Sequence, residues 1–324
     1  MSLFKKTPYI IAEIGSNFNQ SLELGKKMII EAKNCGADAV KFQLFDAKKL
    51  YPKDKKMYKI FKSIELSRKM FLHFYDYSKK INIDISASVF DEASANFLSK
   101  INVDFHKIAS SELTNYSVIE ILSKTHKPLL LSTGMSDLLD VETAYQRILS
   151  LGNKKIVIMQ CGSMYPLPLN KVNLNTLTTF KKNFECEIGF SDHTLDDVAA
   201  ITAVGKGVSV IEKHFTLSKK LSGPDHFYAL EPKEFKTLVK RLRQSFISLG
   251  TYKKDLLPHE RKNSRRVGLY FKKNMKKGDL FNNNCYVEKR PPLGVTPTHL
   301  SKIINKKLSQ SVKKNSPVFY KFFK

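Results

Sequence analysis

Two short stretches close in the same way. Residues 189–194 read "GFSDHT" and residues 210–215 read "VIEKHF", each an apolar run that ends on polar side chains and a histidine. Side chains two apart on an extended strand share a face. Ser191 and His193 therefore point together on one run and Glu212 and His214 on the other, with Lys213 turned away. Two imidazoles beside a carboxylate suit a divalent metal that keeps open positions for substrate and water. A pair of hydrogen-bonded structural histidines is the plainer alternative, but two of them closing neighbouring strands favour the metal. Other runs end similarly, with Glu13 in "IAEIG", Lys41 and Gln43 in "VKFQ", and Lys107, Ser110 and Glu112 in "HKIASSE". A lysine within an apolar run is costly to bury unless it faces an anion. Each could instead snorkel to water, yet two such lysines point to a phosphate or carboxylate site. The Gly-Pro turn "SGPDH" (222–226) carries Asp225 either over the same mouth or onto ordinary surface. These residue types describe a small anionic substrate being rearranged or condensed, without naming the reaction.

Side chains from so many run ends converge only in a particular architecture. Eight β-branched runs recur: "YIIAEIG" (9–15), "DAVKFQL" (38–44), "IDISASV" (83–89), "FHKIAS" (105–110), "PLLLSTG" (128–134), "KIVIMQC" (155–161), "EIGFSD" (187–192) and "GVSVIEKHF" (207–215). Segments with apolar residues at three-to-four spacing separate them, such as "SLELGKKMIIEAKNCG" (21–36), which starts at a Ser cap and stops at Gly36. Eightfold strand–helix alternation predicts an α/β fold of the closed (β/α)8 barrel type, with active-site groups at the C-terminal ends of the strands. A further amphipathic helix (232–250) completes a domain over residues 1–250. A polar linker over 251–266 and a compact, turn-rich domain over 267–324 follow, the latter broken by "KKGD", "NNN" and "RPPLG".

The totals fit a globular enzyme. The chain has 324 residues, and its 42% apolar content is ample for a sizeable core. No run of about 18 apolar residues and no leader pattern is present, so a cytoplasmic protein with no membrane association is expected. Cys35, Cys161, Cys186 and Cys285 are scattered, without zinc-finger spacing, and read as reduced, mostly buried thiols. The net charge of +25 is spread along the chain and accompanied by no recognition motif. It predicts no nucleic-acid partner, although the field would favour anionic substrates.

Taken in order, "IAEIGSNFNQSLELGKKMIIEAKNCGADAVKFQLF", "KIASSE", "LLLSTGM", "SMYP", "FSDHT", "IEKHFT" and "GPDH" resemble the N-acetylneuraminate synthase family, which comprises the sialic, legionaminic and pseudaminic acid synthases. The tail "RRVGLYFKKNMKKGDLFNNNCYVEKRPPLGV" (265–295) resembles the antifreeze-like, β-clip type domain of that family. The resemblance implies condensation of phosphoenolpyruvate with an open-chain 2-acetamido hexose, N-acetylmannosamine or a 2,4-diacetamido-6-deoxy analogue. The products would be a sialic- or legionaminic-type nine-carbon 2-keto acid and phosphate, the alternatives being a pseudaminic acid synthase or a non-catalytic relative that binds a sugar acid or nucleic acid. It implies that His193 and His214 hold a divalent metal, manganese foremost, with magnesium or cobalt as alternatives. Lys41, Ser88, Lys107, Ser110, Ser163 and Ser191 match phosphoenolpyruvate-binding positions. Gln43, Tyr165, Asp225 and Arg290 match sugar-binding positions, and Glu13, Glu112, Glu212 and Asp225 match positions that move protons or orient substrate. It also implies a homodimer with exchanged C-terminal domains, in which Arg290 enters the neighbouring site. Against the family pattern, Phe18 and Gln160 stand where His is usual, Leu44 where Thr is usual, and Ala87–Phe90 where Ser-Thr-Pro-Phe is usual. Phe18 and Gln160 are expected to bear on the shape of the sugar pocket.

Overall fold

Strand parity determines what lies on the axis of this molecule. In a computed structural model, which describes Phe4, residues 8–262 and residues 266–324, eight parallel strands close into a barrel in sequence order. They are β1 (Tyr9–Gly15), β2 (Ala39–Leu44), β3 (Asp84–Val89), β4 (His106–Ile108), β5 (Leu129–Ser132), β6 (Ile156–Cys161), β7 (Glu187–Asp192) and β8 (Val210–His214). β8 pairs with β1 and so leaves no free edge. One residue in two faces inward. Tyr9, Ile11, Ala39, Phe105, Leu130, Val157, Met159 and Val210 fill the lower barrel, in the stacked layers usual for this fold. The alternate residues, among them Ile10, Val40, Ile85, Ile158 and Ile211, face the surrounding helices and make the larger outer core.

Several helices begin where the sequence supplies a cap. Ser21 accepts from the Leu24 amide ahead of the helix Leu22–Asn34, and Asp91 accepts from Ser94 ahead of Glu92–Ser99. Asp137 and Asp140 form a reciprocal capping box on Leu138–Ser150, and Pro232 opens Pro232–Leu249.

The chain divides into two compact units, Met1–Gly250 and Thr251–Lys324. The polar stretch read as a linker over 251–266 falls within the second unit and carries a short helix, Pro258–Lys262. Residues 263–265 of that stretch, and residues 1–3 and 5–7 of the polar N-terminal segment, lie outside the described residues. Beyond the stretch, β9 (Gly268–Phe271) pairs antiparallel with β10 (Tyr286–Lys289) over a separate core that includes Leu269, Phe271, Phe281, Val295 and Val318. The fold is thus a (β/α)8 barrel followed by a small, turn-rich β unit. No helix among the described residues is long and apolar enough to cross a membrane.

Candidate active site

At the C-terminal ends of the strands the inward parity continues with polar residues. Glu13, Lys41, Gln43, Ser88, Lys107, Ser132, Cys161, Ser191, Glu212 and His214 line one cavity of about 280 Å3, joined by Ser110, Ser163, Tyr165 and His193 from the loops that follow. The register makes close neighbours of them. Glu13 lies beside Lys41 on one side and His214 on the other, Ser88 beside Lys107, and Ser191 beside Glu212.

The floor is a buried charge network. Lys41 Nζ is 2.7 Å from Glu13 Oε2 and donates to Ser88 Oγ at 2.7 Å. Lys107 Nζ donates to Ser132 Oγ at 2.7 Å and lies 3.5 Å from Glu212 Oε1. Glu212 sits between the two ammonium groups, 3.8 Å from Lys41, and accepts from Ser191 Oγ at 2.9 Å. Burial pushes the Glu13 carboxyl up to about 7 against the pull of Lys41, and Glu212 adds to the rise. Burial works on Glu212 too, but Lys107 and Lys41 outweigh it and hold that carboxylate below its usual range. One carboxyl is therefore poised to carry a proton near neutral pH while its neighbour stays ionised. Glu13 Oε2, Glu212 Oε2, Ser163 Oγ and His214 Nδ1 are buried without a hydrogen-bond partner. The Lys41–Glu13 contact is a buried ion pair that engages Glu13 Oε2.

Above the floor stand the two histidines, ring centroids 5.4 Å apart. His193 Nδ1 lies 2.6 Å from the Gly162 carbonyl. Donation there leaves Nε2 as the free nitrogen, the arrangement that orients an imidazole for metal ligation. Burial pushes His214 well below its ordinary pKa, helped by His193 and Lys41, so its ring is neutral and able to ligate. The donor set fits a divalent metal with two imidazoles from the chain and its other positions open. Among the described residues no group of three or more His, Cys, Asp or Glu side chains is arranged to hold one.

Asp225 reaches the same mouth from the loop after β8. β1 ends at Gly15, at a positive φ of 55° that glycine tolerates. A Cβ there would lie 3.3 Å from Gln43 Nε2 and Glu13 Oε1 and 3.4 Å from Asp225 Oδ2, so the three polar groups converge on the space glycine leaves. Tyr228 OH donates to Asp225 Oδ1 at 2.7 Å, and its ring lies against His214 and Tyr165. Gly134 is needed for a similar reason, since a Cβ there would come within 2.3 Å of Ser163 Oγ and 2.8 Å of Ser110 Oγ.

Several expectations change. Glu112 does not line the cavity, because β4 is only three residues long and the chain turns into a 3-10 helix, Ser110–Glu112, which ends the alternation. Its carboxylate accepts instead from Ser111 and Asn115. Arg290, which the resemblance assigns to a neighbouring copy's site, is exposed in the second unit, just past β10. Phe18, expected to shape the sugar pocket, is fully buried in the outer core between Phe42 and Phe74. Gln160 lines an adjacent cavity and donates to the Val172 carbonyl at 3.0 Å. Leu44 and Val89 are core residues. Ser132 and Cys161, closing "LLLS" and "IVIMQC", line the cavity by the same parity rule. Phe90 follows Ser88 by the same parity, whereas Tyr228 and Phe61 carry no such local signal.

A barrel with a lysine-lined anion floor, a histidine pair and converging carboxylates defines an enzyme that handles a small anion. Residues 28–254 match the model described as the NeuB family, and the chain belongs to that family. It is 36% identical over 329 residues to the N,N'-diacetyllegionaminic acid synthase of Campylobacter jejuni, covering 96% of this chain and 98% of that protein. It is 28% identical to the pseudaminic acid synthase of Helicobacter pylori, covering 96% of each. Among solved structures, the N-acetylneuraminic acid synthetase of Leptospira borgpetersenii, in complex with citrate, superposes with a TM-score of 0.76 at 32% identity, covering 79% of this chain and 90% of that one. The protein is a phosphoenolpyruvate-dependent, carbon–carbon bond-forming synthase of the sialic, legionaminic and pseudaminic acid group.

Proposed function

We propose that this synthase condenses phosphoenolpyruvate with an open-chain 2,4-diacetamido-6-deoxy hexose, giving a legionaminic-type nine-carbon 2-keto acid and phosphate. The observation that carries the reading is the division of the cavity into a cationic, hydroxyl-rich floor and an apolar outer wall of Phe61, Phe90 and Met135. Lys41 and Lys107, with Ser88, Ser110, Ser163 and Ser191, take the phosphate and carboxylate on the floor. The apolar wall suits acetamido methyls and a deoxy carbon better than a chain of hydroxyls. The higher identity to the legionaminic than to the pseudaminic relative supports the same choice.

In the reaction the C3 carbon of phosphoenolpyruvate attacks the sugar aldehyde, and a water adds at the electron-poor C2. The resulting tetrahedral adduct breaks its C2–O bond to release phosphate. Glu212, ionised between two ammonium groups, orients that water, and the Glu13 carboxyl, poised near neutral pH, takes up its proton at the floor. Gln43, Tyr165 and Asp225 orient the sugar. His193 and His214 would hold manganese, magnesium or cobalt, which would supply Lewis acidity at the aldehyde oxygen.

Exposed apolar side chains follow β5 to β8, Met135, Met164, Leu195 and Phe227 on the loops and Leu139 on the first turn of the helix Leu138–Ser150. They support a homodimer in which a second copy covers the mouth and supplies Arg290, whose forked donors suit an N-acyl oxygen. Phosphate release should be measured with N-acetylmannosamine and with the diacetamido-deoxy sugar. The reading expects a higher kcat/KM for the latter, loss with chelator and recovery with Mn2+. No release with any 2-acetamido sugar would overturn the activity, and preference for N-acetylmannosamine would overturn the substrate.

A further inference from the structure

Between Glu212 and His214 stands a lysine that faces away from the chemistry. Lys213 is 2% exposed on the outer side of β8. Its ammonium donates to Asp192 Oδ2 at 2.7 Å, the Thr194 carbonyl at 2.6 Å, Thr194 Oγ1 at 3.3 Å and the Asp196 carbonyl at 2.9 Å. The Asp192 side chain is fully buried, and its other oxygen accepts from the Thr194 amide at 2.9 Å. One cation thus gathers the residues on both sides of His193 and the first turn of the loop beyond.

We infer that Lys213 is a positioning residue that holds His193 opposite His214. The two histidines belong to different strand ends, and His193 lies one residue past β7, where its backbone is held outside the strand ladder, its carbonyl accepting from the Leu167 amide at 2.8 Å. The Gly162 carbonyl orients the ring, and the path of 192–194, the segment that Lys213 grips from β8, sets where the ring starts from. Because Lys213 is bonded in sequence to both Glu212 and His214, one ammonium sets the β7 loop against the β8 side chains. A buried lysine needs all three N–H donors satisfied, and backbone carbonyls 194 and 196 accept them only if the loop keeps this path. Displacement of about 1 Å in such a constellation costs on the order of a hundredfold in rate.

The inference rests on the proposed activity for its kinetic arm alone. Lys213→Met leaves Asp192 buried without its cation and is expected to lower Tm, whereas Lys213→Met with Asp192→Asn removes both charges. The double variant should recover most of the Tm. Its kcat for phosphate release should remain at least about tenfold down, with KM for phosphoenolpyruvate within about threefold of the parent protein. Hydrogen exchange at the amides of 193–197 should stay faster while β8 stays protected. A purely structural lysine predicts that kcat returns together with Tm, and that result would overturn the inference. So would exchange at 193–197 equal to that of the parent protein. If the parent protein releases no phosphate with any sugar, the activity proposal fails and the exchange measurement alone decides the role of Lys213.

Discussion

The two ends of the barrel both collect charge, and they treat it differently. At the N-terminal end Tyr9 OH donates to Asp84 at 2.5 Å, Lys79 and the Ile85 amide donate to Asp104 at 2.6 and 3.0 Å, and Asp38 takes the Ile10 amide and Arg243. Each carboxylate there has a donor. At the C-terminal end Glu13, Lys41, Lys107 and Glu212 are almost wholly buried, yet a Glu212 oxygen, the Ser163 hydroxyl and a His214 nitrogen lack hydrogen bonds. Unsatisfied buried polar atoms are rare and cost stability. A cluster of them around one cavity marks capacity held for a ligand, whereas the paired base holds the strands together.

The largest effect should follow from removing a cation at the mouth. Lys107→Met deletes the group that donates to Ser132 and faces Glu212, while Glu212 keeps Ser191 and Lys41. A charge-assisted contact of about 1.5–3 kcal/mol corresponds to roughly ten- to a hundredfold in affinity. KM for phosphoenolpyruvate and inhibition by inorganic phosphate should weaken together, with KM for the sugar little changed. An unchanged KM for phosphoenolpyruvate would remove the anion from the floor and with it the distinction between the two ends.

Much of this site could be read before the structure, because one rule governs it. The period of two along a strand places Glu13, Lys41, Gln43, Lys107, Ser191, Glu212 and His214 on the axis, and the run of eight strands implies the closure that makes them meet. The rule holds only while the strand lasts. Glu112 turned aside because β4 gives way to a 3-10 turn. Phe18 lies in a loop whose direction follows from packing against Phe42 and Phe74, contacts that local sequence does not encode. Tyr228 reaches Asp225 and His214 only because the β8 loop folds back, and its hydroxyl has no periodic signature. For Lys213 the parity indicated the side it faces but not the loop it would find there.

His106 sharpens the comparison, since it is an unsatisfied group away from the mouth. It begins β4, is fully buried on the outer side, and neither ring nitrogen has a hydrogen-bond partner. Burial, with a contribution from Lys127, lowers its pKa to about 3. The unfolded chain therefore binds a proton that the folded chain refuses between about pH 6.5 and 3. Stability is full above pH 6.5 and falls on acidification by about 1.4 kcal/mol per pH unit through that window, so about 2 kcal/mol is lost at pH 5. Urea melts of His106→Leu should lack this share of the acid slope, with unchanged kcat/KM at neutral pH. Equal slopes in the two proteins would show that His106 is not the group that charges.

The smallest effect belongs to the base itself. The Tyr9 ring stacks on Phe4 at 4.1 Å and meets Phe105 edge-on at 6.1 Å, while its hydroxyl serves Asp84. Burial and the adjacent Asp84 carboxylate raise the phenol's pKa, so it remains a neutral donor across the ordinary range. Tyr9→Phe keeps the ring packing and removes only that donor. A hydrogen bond to a charged acceptor contributes about 1.5–3 kcal/mol when dry. Asp84 is partly exposed, so water replaces some of it. The expected loss is about 1 kcal/mol in urea melts with an unchanged m value, and kcat/KM for phosphoenolpyruvate should stay within about twofold, because the hydroxyl lies two inward layers below Glu13 on β1. If phosphate release fell tenfold in Tyr9→Phe, the layers between base and floor would be transmitting strain. The two ends would then be one coupled polar system, and the contrast between a paired base and a receptive mouth would fail.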